Sequence, residues 1–197
     1  THTLPVATYL TPFGDSVINY AETQTDQIIK GNTGVIGTGQ SVVLTLGGTV
    51  YTTGTVDANG NWSVTIPQLN LAALKNLDSL GFTVTVTDRA GNSNTSTPIN
   101  VTVHSVRPSP EVINPFGDGF LNIKEAAGAA TLTGKTGDTG ANQYVTVKVD
   151  VNGVLYTATV DATGNWTVNL PAGSLQSLSA GQHQIVIYAQ DQYGNST

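Results

Sequence analysis

Residues 57–67 read Asp-Ala-Asn-Gly-Asn-Trp-Ser-Val-Thr-Ile-Pro, and residues 161–171 read Asp-Ala-Thr-Gly-Asn-Trp-Thr-Val-Asn-Leu-Pro. In both stretches a turn-forming Asp-x-x-Gly-Asn sequence is followed by apolar residues at every second position. That alternation has the period of a β-strand with one buried face, and Asn beside Gly is typical of a tight hairpin turn. Each stretch therefore predicts a hairpin turn and then a strand that buries its tryptophan, Trp62 or Trp166.

The repetition continues in the same order along the whole chain. Residues 12–15 (Pro-Phe-Gly-Asp) return as residues 115–118, and further matched pairs are Asn19 and Asn122, Glu22 and Glu125, Gly31 and Gly134, Gly34 and Gly137, Asp88 and Asp191, and Asn92 and Asn195. Self-similarity of this kind indicates a repeat architecture. The sequence predicts two copies of one domain, residues 1–107 and 108–197, and Pro108 and Pro110 favour an extended connection near the boundary.

Alternating apolar residues recur elsewhere in both copies, for example in residues 83–87, 99–103 and 145–150. Threonine fills many of the intervening positions, as expected for a β-branched residue on the solvated face of a strand. Gly-Gly at 47–48 and Asn-Gly at 152–153 mark hairpin turns between such runs. With about seven strands in each copy, the sequence predicts an all-β fold of two tandem immunoglobulin-like Greek-key β-sandwich domains.

Two stretches depart from this pattern. Residues 51–57 contain one residue more than the matching stretch of the second copy, which predicts a β-bulge in the first copy, at Gly54. Residues 70–80 carry leucines at helical spacing, which predicts one or two helical turns with Asn70 as the N-cap.

The second copy ends before the first one does. In the first copy, residues 94–103 form the last predicted strand, and the matching strand would begin just beyond Thr197. A sandwich without that strand exposes a sheet edge and part of its core. We expect that the chain comes from a longer array, and that its second domain is either frayed or completed by a strand from another molecule.

Composition excludes several classes of function. The 197 residues carry 7 Lys and Arg against 13 Asp and Glu, and the formal net charge of −6 excludes a nucleic-acid-binding surface. The sequence has no cysteine, which excludes disulfide bonds, a thiolate zinc site and a cysteine nucleophile. Its apolar runs are far shorter than the ~20 residues that span a bilayer, so we expect no membrane insertion. The three histidines occupy non-equivalent places, and the sequence has no nucleophile elbow or glycine-rich phosphate loop, so we expect no enzyme.

The motifs Gly-Asp-x-x-x-Asn-x-x-Glu, Gly-x-x-Gly, Asp-x-x-Gly-Asn-Trp and Asp-x-x-Gly-Asn occur twice in this order. The combination resembles the bacterial Ig-like tandem repeats of giant type I-secreted and biofilm-associated surface adhesins. The resemblance implies a non-catalytic stalk or spacer segment that is extracellular or on the bacterial cell surface. It also implies that the partners are neighbouring repeats of the same polypeptide, that other regions grip a host or abiotic surface, and that calcium often stiffens the rod.

Oxygen-bearing side chains in matching places are the candidates for a calcium site. They are Asp15, Asn19, Glu22 and Asp88 in the first copy, and Asp118, Asn122, Glu125 and Asp191 in the second. Calcium takes six to eight oxygen ligands, chiefly from carboxylates, carbonyls and amides. The alternative is that these residues cap turns or stay solvated, as short polar residues beside glycine commonly do. His104 stands where such repeats often carry a junction Asp, and a histidine is a poor ligand for a hard cation.

Other features allow two interpretations. Residues 57–61 begin like an EF-hand loop, but position twelve is Gln68 instead of Glu, which favours a hairpin turn. The matched tryptophans favour core packing over a ligand-stacking platform. The competing function is a module that binds a glycan or protein receptor through the loops at one pole, residues 31–40, 57–61 and 88–92. A third interpretation is an accessory domain of a secreted polysaccharide-degrading enzyme.

Overall fold

The computed structural model describes residues 4–52, 56–137 and 146–197. The chain divides into two compact units, Thr1–Val106 and Arg107–Thr197. Both consist of β-strands with a few short helical turns, so the predicted all-β class is confirmed. Within the described ranges, no helix combines the length and the apolar character needed to cross a membrane.

The first domain is built from two sheets. Its strands are β1 (Thr8–Tyr9), β2 (Val17–Asn19), β3 (Gln27–Asn32), β4 (Ser41–Leu46), β5 (Thr49–Thr52), β6 (Asn61–Ile66), β7 (Ser79–Thr87), β8 (Ser93–Thr95) and β9 (Ile99–His104). One sheet has the order β1-β3-β6, and the other has the order β2-β9-β7-β4-β5 with β8 paired to β7. Among the described strands, every pairing is antiparallel except that of β2 with β9, which is parallel.

The core of the first domain comes from alternate residues of these strands. In β6, Trp62, Val64 and Ile66 are buried while the residues between them are exposed. Phe82 and Val84 are buried in the same way in β7, which belongs to the other sheet. The apolar faces of the two sheets meet in one cluster of core residues. The predicted period-two strands and the core position of Trp62 are confirmed.

The second domain repeats this plan with fewer strands. They are β10 (Glu111–Ile113), β11 (Ala130–Lys135), β12 (Thr146–Val151), β13 (Val154–Thr157), β14 (Thr159–Val160), β15 (Asn165–Leu170) and β16 (Ile185–Gln190), with a helix α2 (Ile123–Ala127) before β11. The sheets have the orders β10-β11-β15-β14 and β13-β12-β16. Trp166 and Val168 of β15 pack in one core with Val147 and Val149 of β12, so the predicted core position of Trp166 is confirmed.

Two hairpin turns lie where the sequence predicts them. Gly47-Gly48 connects β4 to β5, and Asn152-Gly153 connects β12 to β13. All four residues have a positive φ between 54° and 85°. Positive φ at both central positions gives a turn whose twist matches the flanking strands, which explains the Gly and Asn residues found there.

One helix begins earlier than the sequence predicts. Helix α1 spans Gln68–Ala72 with Pro67 as its N-cap, so the predicted N-cap at Asn70 is wrong. The reason is a contact with a distant residue: Oδ1 of Asp26 accepts a hydrogen bond from the backbone N–H of Gln68 at 2.7 Å, which satisfies one of the donors that a helix start leaves unpaired. The predicted β-bulge at Gly54 lies outside the described residues.

Candidate functional site

Four turns with the sequence Asp-x-x-Gly-Asn share one hydrogen-bonding geometry. They are residues 57–61, 88–92, 161–165 and 191–195. In each turn the backbone N–H of the Asp donates to the carbonyl of the Asn at 2.8–3.0 Å. The Asp Oδ1 accepts the backbone N–H groups of the third and fifth residues, and its Oδ2 accepts the side-chain Nδ2 of the Asn at 2.7–3.0 Å. Each aspartate therefore closes its own turn.

The turn geometry favours the ionised form of Asp57, Asp88 and Asp161. The side-chain hydrogen bond from Asn61 is the largest cause that lowers the pKa of Asp57, and the bond from Asn92 lowers the pKa of Asp88 in the same way. The corresponding bond lowers the pKa of Asp161. A carboxylate that accepts several N–H groups keeps its negative charge to a lower pH. Asp57, Asp88 and Asp161 therefore keep their negative charge at a lower pH than an ordinary aspartate does.

The four turns differ in their surroundings and in how deeply they are buried. The residue before each of the turns at 57–61 and 161–165 pairs antiparallel with the tryptophan after it, Val56 with Trp62 and Val160 with Trp166. The predicted hairpin turns are therefore confirmed. The turn at 191–195 is the most buried of the four, with Asp191 and Asn195 exposed by only 5% and 2%. A buried carboxylate and amide that satisfy each other make this turn part of the core of the second domain.

The first acidic segment forms a reciprocal hydrogen-bonded cap. The backbone N–H of Asn19 donates to Oε2 of Glu22 at 2.8 Å, and the backbone N–H of Glu22 donates to Oδ1 of Asn19 at 3.1 Å. Oδ1 of Asp15 accepts the backbone N–H of Val17 at 2.8 Å. Burial raises the pKa of Glu22, the hydrogen bond from Asn19 opposes that rise, and the charge of Asp15 adds to it. The carboxylates of Asp15 and the partly buried Glu22 therefore repel each other.

The second copy repeats this arrangement at the start of a helix. Asn122 is the N-cap of α2 and forms a capping box with Glu125: the Asn122 N–H donates to Oε2 of Glu125 at 2.9 Å, and the Glu125 N–H donates to Oδ1 of Asn122 at 3.0 Å. Oδ1 of Asp118 accepts the backbone N–H of Phe120 at 2.9 Å. All three candidate ligands of this segment therefore take part in turns or caps.

The candidate calcium ligands with carboxylate groups differ in how many of their oxygens accept hydrogen bonds. Asp88 and Asp191 have both carboxylate oxygens hydrogen-bonded inside their own turns. Asp15 and Glu22 each use one oxygen, and within the described part of the chain their second oxygen accepts no hydrogen bond. The same part of the chain contains no group of three or more His, Asp or Glu side chains placed to hold a metal ion. Since calcium takes six to eight oxygens, an ion at Asp15 and Glu22 would need amide, backbone or water oxygens as well.

The loop between β3 and β4 is held by a glutamine that sequence reasoning missed. Nε2 of Gln40 donates to the carbonyls of Val35 and Gly37 at 2.9 and 3.0 Å. The hydroxyl of the buried Thr33 donates to Oε1 of Gln40. Backbone acceptors leave no pattern in the sequence, so only the fold reveals this role. In residues 33–40 the side chains of Thr33 and Gln40 therefore pair within the loop itself.

A sequence-family model described as a bacterial Ig-like domain matches residues 128–197. No curated protein sequence matches the chain significantly.

Many solved structures are similar to the chain, among them three of bacterial ice-binding adhesins. One of them is described as a Ca2+-stabilized adhesin that helps an Antarctic bacterium reach out and bind ice. It is 32% identical to this chain, with a TM-score of 0.57, and the match covers 99% of this chain and 47% of the adhesin chain. Another concerns host cell surface retention of a 1.5-MDa bacterial ice-binding adhesin; it is 32% identical, with a TM-score of 0.55, over 96% of this chain and 60% of its own. A bacterial immunoglobulin-like domain from the M. primoryensis ice-binding adhesin is 36% identical, with a TM-score of 0.36, over 52% of this chain and 97% of its own. The chain thus spans about half the length of the first two structures.

Proposed function

Since the chain belongs to the bacterial Ig-like domain family, we propose that it forms two non-catalytic spacer repeats of a large bacterial surface adhesin. The similarity to the Ca2+-stabilized adhesin extends over 99% of this chain, so both domains share it. In this proposal the chain is extracellular or on the cell surface, and its partners are neighbouring repeats of the same polypeptide. Other regions of the adhesin attach to a host or abiotic surface.

The observation that carries the proposal is the internal pairing of polar groups in the loops. A loop that recognises a ligand presents donors and acceptors to it. Here the Asp and Asn side chains of the four turns bond to each other, and Gln40 bonds within its own loop. Two copies of one domain in tandem suit a segment that sets the distance between other parts of a polypeptide.

A display experiment separates spacing from ligand binding. A small domain that binds a known target is anchored to a bacterial surface through residues 1–197, and capture of target-coated beads is measured. Replacing the chain by an unrelated pair of β-sandwich domains of equal length should preserve capture, whereas deleting the chain should reduce it.

The same assay also tests the competing ligand-binding function. Cells that display residues 1–197 without the added binding domain should capture no glycan-coated or protein-coated beads. Saturable capture that is abolished by substitutions in residues 33–40 or 88–92 would contradict the spacer function and support a receptor-binding module.

We also propose that calcium binds the segment of Asp15, Asn19 and Glu22. Two observations support this: the similar adhesin structure is described as Ca2+-stabilized, and the charge of Asp15 raises the pKa of the partly buried Glu22. A divalent cation between the two carboxylates would remove their repulsion and link the start of β2 to the turn that follows it. The segment containing Asp118, Asn122 and Glu125 is the corresponding proposal for the second domain.

A further inference from the structure

Five stretches of the chain have the sequence Asn-x-Ser/Thr, which is the acceptor sequence for N-linked sugars. They begin at Asn61, Asn94, Asn100, Asn165 and Asn195. An asparagine that carries a sugar in the folded protein needs a side-chain amide that the fold does not use. It also needs room on the surface for a bulky polar group. The five asparagines differ in both respects.

Four of these asparagines use their amide inside the fold. Nδ2 of Asn61 and Nδ2 of Asn165 donate to the aspartate of their own turn at 2.9 and 3.0 Å. Asn195 makes the same bond at 2.7 Å and is only 2% exposed. Asn94 donates to the carbonyl of Pro5 at 2.9 Å. A sugar on Nδ2 replaces one of its two hydrogens and adds bulk beside the partner, so it would disturb each of these four contacts.

Asn100 is the exception, because it is exposed on β9 and its amide is free. Within the described residues, neither the side-chain amide of Asn100 nor the hydroxyl of Thr102, the third residue of its acceptor sequence, makes a hydrogen bond. The equivalent hydroxyls of two other acceptor sequences are used: Ser96 accepts the backbone N–H of Val84, and Thr197 donates to a carbonyl. Asn100 therefore meets the first requirement.

The surface beside Asn100 consists of backbone. Asn100 lies opposite Gly81 of β7, and the N–H of Gly47 donates to the carbonyl of Gly81 at 2.9 Å. The next two residues along this row are therefore glycines, and both are exposed. A Cβ atom at Gly81 would meet no other atom within 4 Å. We call these two residues the glycine shelf, and it gives room for a sugar beside Asn100.

Neither conformation nor local space requires a glycine at position 81. The φ of Gly81 lies outside the left-handed region, and a side chain there would point into open space. The internal repeat does not require a glycine either, because Gln184 stands at the matching position of the second copy. A glycine inside a strand gives up side-chain packing, and it often marks a place where another group approaches closely. A sugar on Asn100 is a group that would approach Gly81 in this way.

We propose that Asn100 is an N-glycosylation site whose sugar lies over the glycine shelf. The donor is a sugar that is activated at its anomeric carbon as a diphosphate ester, and a transferase catalyses the step. Nδ2 of Asn100 attacks that carbon, and the C–N bond forms as the C–O bond to the diphosphate breaks. The diphosphate leaves with the electron pair, a base of the transferase takes one amide proton, and no atom is oxidised or reduced. Because β9 is paired with β7 and β2 in the folded domain, the transferase acts before this strand is in place.

The first test is peptide mapping of the protein isolated from the cells that naturally produce it. The peptide that contains Asn100 should carry the mass of at least one sugar residue in most molecules, and fragmentation should locate it on Asn100. Two variants made in the same cells are the matched pair. Thr102→Ala keeps the acceptor nitrogen but breaks the acceptor sequence, so occupancy should fall by about tenfold or more. Asn94→Gln removes a neighbouring acceptor sequence and should leave occupancy of Asn100 unchanged.

The compartment in which the sugar is added distinguishes two sources of the activated donor. Residues 1–197 are produced in the same cells once without export and once with export. Modification without export identifies a nucleoside-diphosphate sugar as the donor. Modification that requires export identifies a lipid-diphosphate sugar. Either pattern supports Asn100 as the acceptor.

The second test measures whether the folded domain has room for the sugar. The chain has no cysteine, so a single introduced cysteine is the only thiol for alkylation with a sugar reagent. Labelling Asn100→Cys should leave the melting midpoint of the first domain unchanged relative to the unlabelled variant. Labelling Asn94→Cys is the matched control and should lower its midpoint by about 4 °C or more, because that label crowds Pro5.

Two results would overturn the proposal. One is protein from its natural cells in which Asn100 is unmodified, whether or not another asparagine carries a sugar. The other is a label at position 100 that lowers the melting midpoint as much as the label at position 94 does. Both readouts measure a covalent group and the stability of one domain, so they are independent of the proposed adhesin function.

Discussion

Trp166 donates a hydrogen bond from its indole Nε1 to the carbonyl of Lys135 at 3.2 Å. The same ring lies against Gly134 so closely that a Cβ atom there would overlap both the ring and the carbonyl oxygen of Glu111. The first domain repeats the close approach between Trp62 and Gly31. The repeated pairing of a glycine on one strand with a tryptophan on the neighbouring strand is therefore a packing requirement that both domains share.

Replacing Gly134 by Ala should destabilise the second domain by at least about 2 kcal/mol, because neither the backbone of Glu111 nor the buried ring can move away freely. Denaturant unfolding followed by tryptophan fluorescence measures the loss. Gly128→Ala is the matched control, because a Cβ at Gly128 would meet its neighbours only at 3.6 Å and its φ is negative. Equal stability of the two variants would contradict the packing requirement.

The two tryptophans should respond differently to the same substitution. Trp166→Phe removes the hydrogen bond to Lys135 as well as ring volume, whereas Nε1 of Trp62 is buried and has no partner within the described residues. We expect Trp166→Phe to cost about 1 kcal/mol more than Trp62→Phe, the typical net value of one hydrogen bond. The free energy of unfolding of each domain gives the comparison, and a larger loss for Trp62→Phe would refute it.

Glu22 should make the first domain less stable as the pH rises. Its folded pKa lies above the ordinary value of 4.5 because of burial, despite the Asn19 hydrogen bond, and the charge of Asp15 adds to the shift. The unfolded chain therefore releases this proton at a lower pH than the folded domain does. The free energy of unfolding falls as the pH rises from 4.5 to the raised folded pKa, and this decline ends above that value.

The variant Glu22→Gln should abolish that decline, and Asp15→Asn should reduce it by removing one cause of the shift. The denaturation midpoint of the first domain above pH 4.5 is the readout. In this range Asp57 and Asp88 do not interfere: their pKa values are lowered from 3.8, so their stabilising effect is lost only as the pH falls below that value. A Glu22→Gln variant with the pH dependence of the parent chain would show that Glu22 is not the cause.

The most buried of the four Asp-x-x-Gly-Asn turns should be the most sensitive to mutation. Asn195→Ala leaves the buried Asp191 without its side-chain donor, and we expect a loss of about 2 kcal/mol. Asn165→Ala removes the same bond from an exposed turn, where water replaces the lost donor, and its effect should be clearly smaller. Thermal unfolding compares the two variants, and equal losses would contradict the role assigned to burial.

Calcium should stabilise the first domain through Asp15 and Glu22. At a hundredfold excess over the dissociation constant, an ion that binds only the folded state adds about 2.7 kcal/mol. Melting curves with calcium and with chelator measure the shift, and the double variant Asp15→Asn with Glu22→Gln should lose it. Melting curves that coincide with and without calcium would rule out the proposed ion and leave these residues as turn caps.

The parts of the fold that depend on local pattern are predictable from the sequence. The strands around Trp62 and Trp166 follow from the alternation of apolar residues, and the turns before them follow from Asp, Gly and Asn at fixed positions. These features involve residues within a few positions of each other. Their physical causes, strand periodicity and turn conformation, are therefore visible in a short window.

The parts that depend on distant contacts are not visible in the sequence. Asp26 caps α1 from another part of the chain, so the helix begins at Gln68 and not after the predicted N-cap Asn70. The parallel partner of β2 and the burial that raises the pKa of Glu22 likewise follow only from the assembled sheets. Spacing alone showed that acidic residues recur, but not that Asp88 and Asp191 use both oxygens in their own turns.

The parallel pairing of β2 with β9 determines how the first domain responds to tension. Near its two ends the chain runs side by side in one direction, with Val17 opposite Thr102 and Asn19 opposite His104. A pull that separates the ends acts along these strands, so it shears their hydrogen bonds together instead of peeling them apart singly. We therefore expect the first domain to stay folded under tension until several of these hydrogen bonds break together.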